Sequence, residues 1–366
     1  MFAHRRAVLT SLIAIPAVGA LPRIARADET FAPADAALDA AFTAAAPPAL
    51  AGAIVSREGV VWSSVRGVRQ AGGSDPVTAD DCWHLGSNTK AMTAALFARL
   101  VEQGRADWEM TVGQAFPGLT IDPAWSTTRL IDLMHHRAGL MDADIIGRTW
   151  LMTARADPRS LPEQRRTIAE QAFAKPPGGA VGTFAYGNAN YIVLGAAIEA
   201  ITGTSWENAM RAEVYGPLGL TSAGFGPPPS PNAWGHRAGP TPIDPTNPGA
   251  DNPLAMGPAG TAHMTLADYG RFLAVFLSEG GGWISANSVA RLTAPAEGPP
   301  PGYGCGWIVQ GQGPQRVLGH EGSNTMWHAG VLVRPEQNRA VIAVSNDHDA
   351  GSRAVQDLMV RLNALP

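Results

Sequence analysis

The sequence has little of what marks several common protein classes. Only two of its 366 residues are cysteine, Cys82 and Cys305, too few for a disulfide framework and not at a metal-site spacing. They pair only if the fold brings them together. Histidines are scattered, and the adjacent His135 and His136 cannot share the one-face spacing that paired helical ligands need. No structural or catalytic metal, and no cofactor, is expected. Basic residues are in the minority: 27 Lys and Arg stand against 31 Asp and Glu, a formal net charge of −4. With no Lys/Arg run and no basic stripe interleaved with aromatics, the balance argues against a nucleic-acid partner. No serine lies within G-x-S-x-G, so the nucleophile elbow of an α/β-hydrolase is missing.

What is present is an ordinary core-forming composition, 45% hydrophobic and 16% charged, with 41 Gly and 30 Pro that imply long connections. The first 27 residues resemble an export signal. His4-Arg5-Arg6 is basic, residues 7–21 are uncharged and mostly apolar, and Ala25-Arg26-Ala27 gives a small-x-small cleavage site. The apolar stretch is short for a membrane span, which needs about 20 residues, so cleavage before Asp28 is expected and no stable span remains. The Arg5-Arg6 pair fits a twin-arginine signal loosely, and the general secretory route stays open. The mature chain would carry 23 basic and 31 acidic residues. A periplasmic or secreted location follows.

Along residues 28–366 the pattern predicts a helix at 37–46 and two strands within 52–70 around the turn Arg57-Glu58-Gly59. From Asn88 the apolar residues Met92, Leu96 and Leu100 recur at helical spacing, with Gly104 as a stop. The middle third continues helical, with a run from about 190 to 202 and a capping box at Thr204-Ser205-Trp206-Glu207 ahead of residues 208–214. Residues 226–260 hold ten prolines and no periodicity, which implies either a functional lid or a disordered segment. Short β-type runs return between 304 and 346, and Val355, Leu358, Met359 and Leu362 close the chain as a helix. The expected fold is α+β: an antiparallel sheet of N- and C-terminal strands (about 28–82 and 295–366) flanked by helices. A mainly helical lobe (about 83–294) is inserted into one catalytic domain.

Chemistry concentrates at Ser87-Asn88-Thr89-Lys90. A serine at a helix start lies beside unpaired backbone N–H groups that stabilise an oxyanion. Lys90, at i+3 on the same face and partly desolvated, loses its proton more readily than a solvated lysine and can activate the serine. Alone, S-x-x-K is more often a helix cap beside a solvated lysine. Two companions change that. Tyr186-Gly187-Asn188 follows the turn Pro177-Gly178-Gly179, so both polar side chains are expected on a loop, where Tyr186 could act as general base and then acid. Gly319-His320-Glu321-Gly322-Ser323 lies among the C-terminal strands, where glycine lets a substrate approach an edge backbone.

Together these three elements resemble the penicillin-recognising serine hydrolases, the superfamily of class C β-lactamases, D-alanyl-D-alanine carboxypeptidases, D-aminopeptidases and family VIII carboxylesterases. The likeness spans residues 35–365. Ser87-Asn88-Thr89-Lys90 matches S-x-x-K, Tyr186-Gly187-Asn188 matches Y-x-N, and His320-Glu321-Gly322 stands in place of K-T-G. The run from Leu133 to Leu140, L-M-H-H-R-A-G-L, is similar to the family's L-L-x-H-x-S-G-L, and Gly257-Pro258-Ala259-Gly260 precedes a helix as in the family. The resemblance implies a β-lactamase/transpeptidase-like fold and a Ser87 acyl-enzyme. It implies proton transfer by Lys90 and Tyr186, substrate binding by Asn188, His320, Gly322 and Ser323, and oxyanion donation by the N–H groups of Ser87 and Ser323. The third motif departs from the family pattern: a lysine would attract a substrate carboxylate at any physiological pH, whereas an unperturbed imidazole is mostly neutral. Esterase-like action on small neutral esters or amides is the leading expectation. The alternatives are a β-lactamase, a D-Ala-D-Ala carboxypeptidase or D-aminopeptidase acting on peptides, and a periplasmic binding protein that keeps the fold without turnover.

Overall fold

The computed structural model describes residues 31–366; the export signal expected at 1–27 lies outside them. Among the described residues eleven strands follow in chain order: β1 (Ala49–Ser56), β2 (Gly59–Gly67), β3 (Trp83–His84), β4 (Gly224–Phe225), β5 (Gly235–Arg237), β6 (Thr241–Ile243), β7 (Ala262–Met264), β8 (Ile308–Gln310), β9 (Val317–Ser323), β10 (His328–Arg334) and β11 (Arg339–Ser345). Six of them make one antiparallel sheet in the order β2-β1-β11-β10-β9-β8. The N-terminal hairpin thus joins the C-terminal meander through β1 and β11, with Ala53 opposite Ile342, which is the sheet expected from the sequence.

The sheet is covered on both faces, and strand alternation decides which residues go where. Leu50 and Ile54 of β1 pack with Trp62, Val341 and Ala343 under helix α1 (Ala32–Ala45) and the terminal helix Asp349–Ala364. Ala49, Ala51, Ala53 and Val55 face the other way, into the larger core with Met92, Leu96 and Phe272. Because both faces are dry, β1 is small and apolar almost throughout and shows no polar alternation. Gly52 lets the terminal helix sit close: a Cβ there would stand 3.0 Å from Leu358 Cδ2, tight enough that the side chain would have to shift. Helix Leu266–Leu277, within the middle of the sequence, also packs on this sheet, where Gly270 brings it against Val55 and Val60.

Of the two readings of residues 226–260 disorder is overturned, and the capping box at Thr204–Glu207 is corrected. Residues 226–260 are folded: the chain leaves the small sheet β3-β7-β4 after β4, forms the β5–β6 hairpin, and returns at β7 directly behind the Ser87 turn. Proline there sets the path of an ordered strap. The helix after Gly203 begins at Trp206 with Ser205 as its cap, whose side chain accepts from Asn208 N; Glu207 does not complete a box and instead meets buried Arg165. Arg165 also pairs with Glu199 and donates to the carbonyls of Leu254 and Ala255, tying three helices to the strap. Cys82 and Cys305 are both buried and free.

Candidate active site

Ser87 lies in a single 3-10 turn, Gly86–Asn88, that runs into helix α2 (Thr89–Glu102). The turn is pinned from three sides. Leu85 N donates to Ala262 O of β7 at 2.8 Å, Thr89 Oγ1 donates to Gly86 O at 2.7 Å, and Asn88 Nδ2 donates to Leu85 O at 2.9 Å. Gly86 has φ +52° and a Cβ there would stand 2.3 Å from Ser323 N; one on Gly322 would stand 2.2 Å from Leu85 O and 2.5 Å from Ser87 N. The turn and β9 therefore touch backbone to backbone, and only glycine allows it. β8 covers β9 only from Val317 to Gly319, so among the described residues no strand covers the outer edge of residues 320–323.

Lys90 is fully buried, and its Nζ has three neighbours: Ser87 Oγ at 2.9 Å, Asn188 Oδ1 at 2.9 Å and Ala259 O at 2.7 Å. Burial lowers its pKa from 10.5 to about 7, partly opposed by the charge of Asp142. A neutral amine has two N–H donors and one lone pair. Asn188 Oδ1 and Ala259 O can only accept, so they take the two donors and leave the lone pair for the Ser87 hydroxyl.

Tyr186 lies on the loop as expected, but Asn188 does not; it is the first residue of helix Asn188–Thr202. Nothing in the sequence signals what holds it there. Asp142, the first residue of a 3-10 turn (Asp142–Asp144) 46 residues earlier, accepts from Asn188 N at 2.9 Å and Ala189 N at 2.7 Å and so caps the helix. The ring of Tyr186 is 4.9 Å from Lys90 Nζ and 4.5 Å from the ring of His136. His136 is buried at φ +56°, and its Nδ1 accepts from Gly187 N at 3.4 Å. Tyr186 is 44% exposed, yet desolvation of its hydroxyl raises its pKa to about 12, against a smaller lowering by Ser87. It is a phenol, not a phenolate, at neutral pH.

His320 is buried. Its Nδ1 is 2.6 Å from Glu321 O, which can only accept, so Nδ1 carries the proton and Nε2 accepts from Tyr303 Oη at 2.9 Å. Burial, helped by the nearby Lys90, lowers its pKa to about 4. At pH 7.5 it is a neutral wall residue. The Glu321 carboxylate is engaged by other partners, accepting from His328 Nε2 at 2.9 Å and from Gln356 at 3.1 Å. Ser323 Oγ likewise donates to Trp327 O at 2.6 Å, so only its backbone N–H faces the Ser87 turn. Ser87, Tyr186, His320, Gly322 and Ser323 line one cleft of about 480 Å³ together with Phe184, Pro301, Tyr303, Ile308, Glu321 and His328. No Lys or Arg is among these lining residues.

The comparison with protein families adds the framework. The family model described as beta-lactamase matches residues 34–365. The chain belongs to the beta-lactamase family. Members of this family are serine hydrolases. Penicillin-binding protein 4 of Amycolatopsis lactamdurans is 28% identical over 301 residues, 73% of this chain and 72% of that protein. Matches to other curated relatives span 31 to 56% of their length. Among solved structures, a beta-lactamase from Sulfitobacter sp. EE-36 superposes with a TM-score of 0.74 at 21% identity, covering 93% of this chain and 99% of that one. A D-stereospecific amidohydrolase from Streptomyces sp. does so at 0.69 and 21%, covering 88% and 98%. At such identity these structures speak for the fold, which is β-lactamase/transpeptidase-like.

Proposed function

We propose that this family member is an exported serine hydrolase that cleaves small neutral esters or amides through an acyl-enzyme on Ser87. The observation that carries the reading is the donor count at Lys90: two of its three neighbours are obligate acceptors, and the third is the Ser87 hydroxyl. Neutral Lys90 takes the Ser87 proton as the oxygen attacks the carbonyl carbon. The developing oxyanion sits between the N–H groups of Ser87 and Ser323, which belong to the two backbones that glycine lets touch. Tyr186, held as a phenol, is a donor toward the departing group and takes no part as the initial base, in contrast to the sequence expectation. As Tyr186 protonates the departing group, Lys90 passes it the proton taken from Ser87, so both are restored. Water then attacks the acyl-enzyme with Lys90 again as base, the proton returns to Ser87 Oγ as the acid is released, and Asn188 keeps Lys90 oriented.

Preference for neutral substrates rests on the cleft. His320 is uncharged, no Lys or Arg lines the wall, and the one carboxylate at the rim is Glu321. An anionic β-lactam meets no fixed cation there. A second reading, hydrolysis of D-residue amides or of β-lactams, is favoured by the names of the similar proteins. The two separate in a panel of short-chain aryl esters, a chromogenic cephalosporin and a D-Ala-D-Ala peptide at pH 7.5. Esters are expected to have the highest kcat/KM, and a cephalosporin above every ester overturns the ranking. A fluorophosphonate probe tests the nucleophile: labelling is expected and should vanish in Ser87→Ala, whose turnover should drop on the order of 10³-fold or more. No labelling of the wild type would point to a binding protein on the same fold.

A further inference from the structure

Behind the Ser87 turn, on the side away from the cleft, lies a buried polar chain that the mechanism above leaves unused. Asp251 belongs to the proline-rich strap and is 4% exposed. One carboxylate oxygen, Oδ2, stands 2.9 Å from His84 Nε2; the other, Oδ1, accepts from Asn324 Nδ2 at 2.9 Å and from Asn252 N at 2.7 Å. The carboxylate only accepts, so His84 carries its proton on Nε2. Its Nδ1 is then a free acceptor, and Gly86 N donates to it at 3.2 Å. The two hydrogen bonds fix one neutral tautomer of His84, whose ring is stacked on Trp327 at 5.6 Å between centroids.

The two ends of this chain are the point. Gly86 immediately precedes Ser87, and Asn324 immediately follows Ser323. Asn324 is held a second time, because its Oδ1 accepts from Met326 N and Trp327 N at 3.1 Å each. One carboxylate is therefore tied, through one side chain on each side, to both of the backbone segments that carry the N–H groups assigned to the oxyanion. None of Asp251, His84 and Asn324 lines the cleft. Arg155 in turn donates to Asp251 O at 2.6 Å and fixes the strap at that residue.

We propose that Asp251, acting through His84 and Asn324, is a positioning residue that holds the N–H groups of Ser87 and Ser323 in register as an oxyanion hole. This rests on the reading of Ser87 as nucleophile. Thr89 holds the Gly86 carbonyl from within the turn, but the Gly86 N–H, on a residue in the left-handed region, is held by His84, and the strand beyond Gly319 has no outer neighbour among the described residues. Each half has bonds of its own within its element, and the strap supplies the one carboxylate that both share. A shift of about 1 Å in a catalytic group costs about 10²-fold in rate, so the effect of loosening the bracket should be of that order.

The test uses the mature protein and an aryl ester, with active sites counted by fluorophosphonate titration. Asp251→Ala should lower kcat per titrated site by roughly 10- to 100-fold, leave KM within about threefold, and weaken phenylboronic acid binding by the same factor as kcat. The boronate adduct places an oxygen in the oxyanion hole, so a merely structural role would not move its affinity. His84→Leu should behave alike, whereas His84→Asn, whose Oδ1 can take the Gly86 N–H, should recover part of the loss. Unchanged kcat per site and boronate affinity in Asp251→Ala, with only a lower Tm, overturns the proposal. If Asp251→Ala does not fold, equal kcat per site in wild type and His84→Leu overturns it instead. Failure of the nucleophile reading looks different: the wild type would not label, or Ser87→Ala would still label.

Discussion

Lys90 Nζ, itself fully buried, stands 2.9 Å from Ser87 Oγ, and of its three hydrogen-bond partners only that hydroxyl can donate a proton to the amine. The relationship sets a pH dependence. Lys90 works as a base only when neutral, and its pKa is about 7, so kcat/KM for a neutral ester should rise with pH and level off above about 7. Tyr186, at about 12, adds no falling limb below pH 10. Lys90→Arg, which stays protonated, should lose activity at every pH. A profile that is flat from pH 5 to 9, or an active arginine variant, removes Lys90 from the base role.

Asp142 offers an independent handle on the same group. Its carboxylate caps the helix that begins at Asn188 and raises the Lys90 pKa through its charge. Asp142→Asn removes the charge but keeps one acceptor. The ammonium loses its stabilising anion, the Lys90 pKa falls, and the rising limb of kcat/KM should move to lower pH. Loss of part of the cap should also lower stability by about 1 kcal/mol. A limb that stays in place while stability drops would confine Asp142 to capping.

Gly322→Ala tests the backbone contact between β9 and the nucleophile turn. The new Cβ would stand 2.2 Å from Leu85 O and 2.5 Å from Ser87 N. Both are backbone atoms that cannot rotate aside, so either the strand or the turn moves. A kcat lower by about 10²-fold is expected from the misplaced oxyanion donors, along with a reduced Tm. Wild-type kcat in this variant would show that Ser323 N is not needed where it lies.

Much of this arrangement was legible in the sequence, for identifiable reasons. Ser87, Lys90, Tyr186 and the His320–Ser323 run lie in short segments whose spacing reflects local geometry: i and i+3 on one helix, alternation on one strand. The sheet was legible because apolar β-type runs occupy both ends of the chain. Asp142, Tyr303, His84 and Asp251 were not, because each acts across 17 to 167 residues of sequence through one hydrogen bond or two. Asn188 reads as a loop residue in the sequence because its cap comes from such a distant residue. The proline-rich strap defeated periodicity for a different reason: its order comes from side chains of other elements, Asn324 and Arg165 among them, that take up its polar groups.

Histidine burial gives the last expectation, on acid stability. His135, His263 and His320 are all held neutral in the interior, each with its pKa lowered from 6.5 to about 4, chiefly by burial. Between those values the unfolded chain binds more protons than the folded one, so lowering the pH favours unfolding. Stability from these groups is complete above pH 6.5 and is lost as pH falls toward 4. Each contributes a slope of up to about 1.4 kcal/mol per pH unit in the middle of that window. Exposed carboxylates paired in the fold act mainly below it. Denaturant melts at pH 7.5, 6.5, 5.5 and 4.5 should show a midpoint that is steady between the first two and falls steeply between the last two. His263, whose Nδ1 donates to Gly226 O at 2.8 Å, provides the control. His263→Asn should start less stable at pH 7.5 yet lose less on acidification, because one titrating group has been removed. An unchanged midpoint from pH 7.5 to 4.5 in the wild type would mean that these imidazoles are protonated as easily in the fold as outside it.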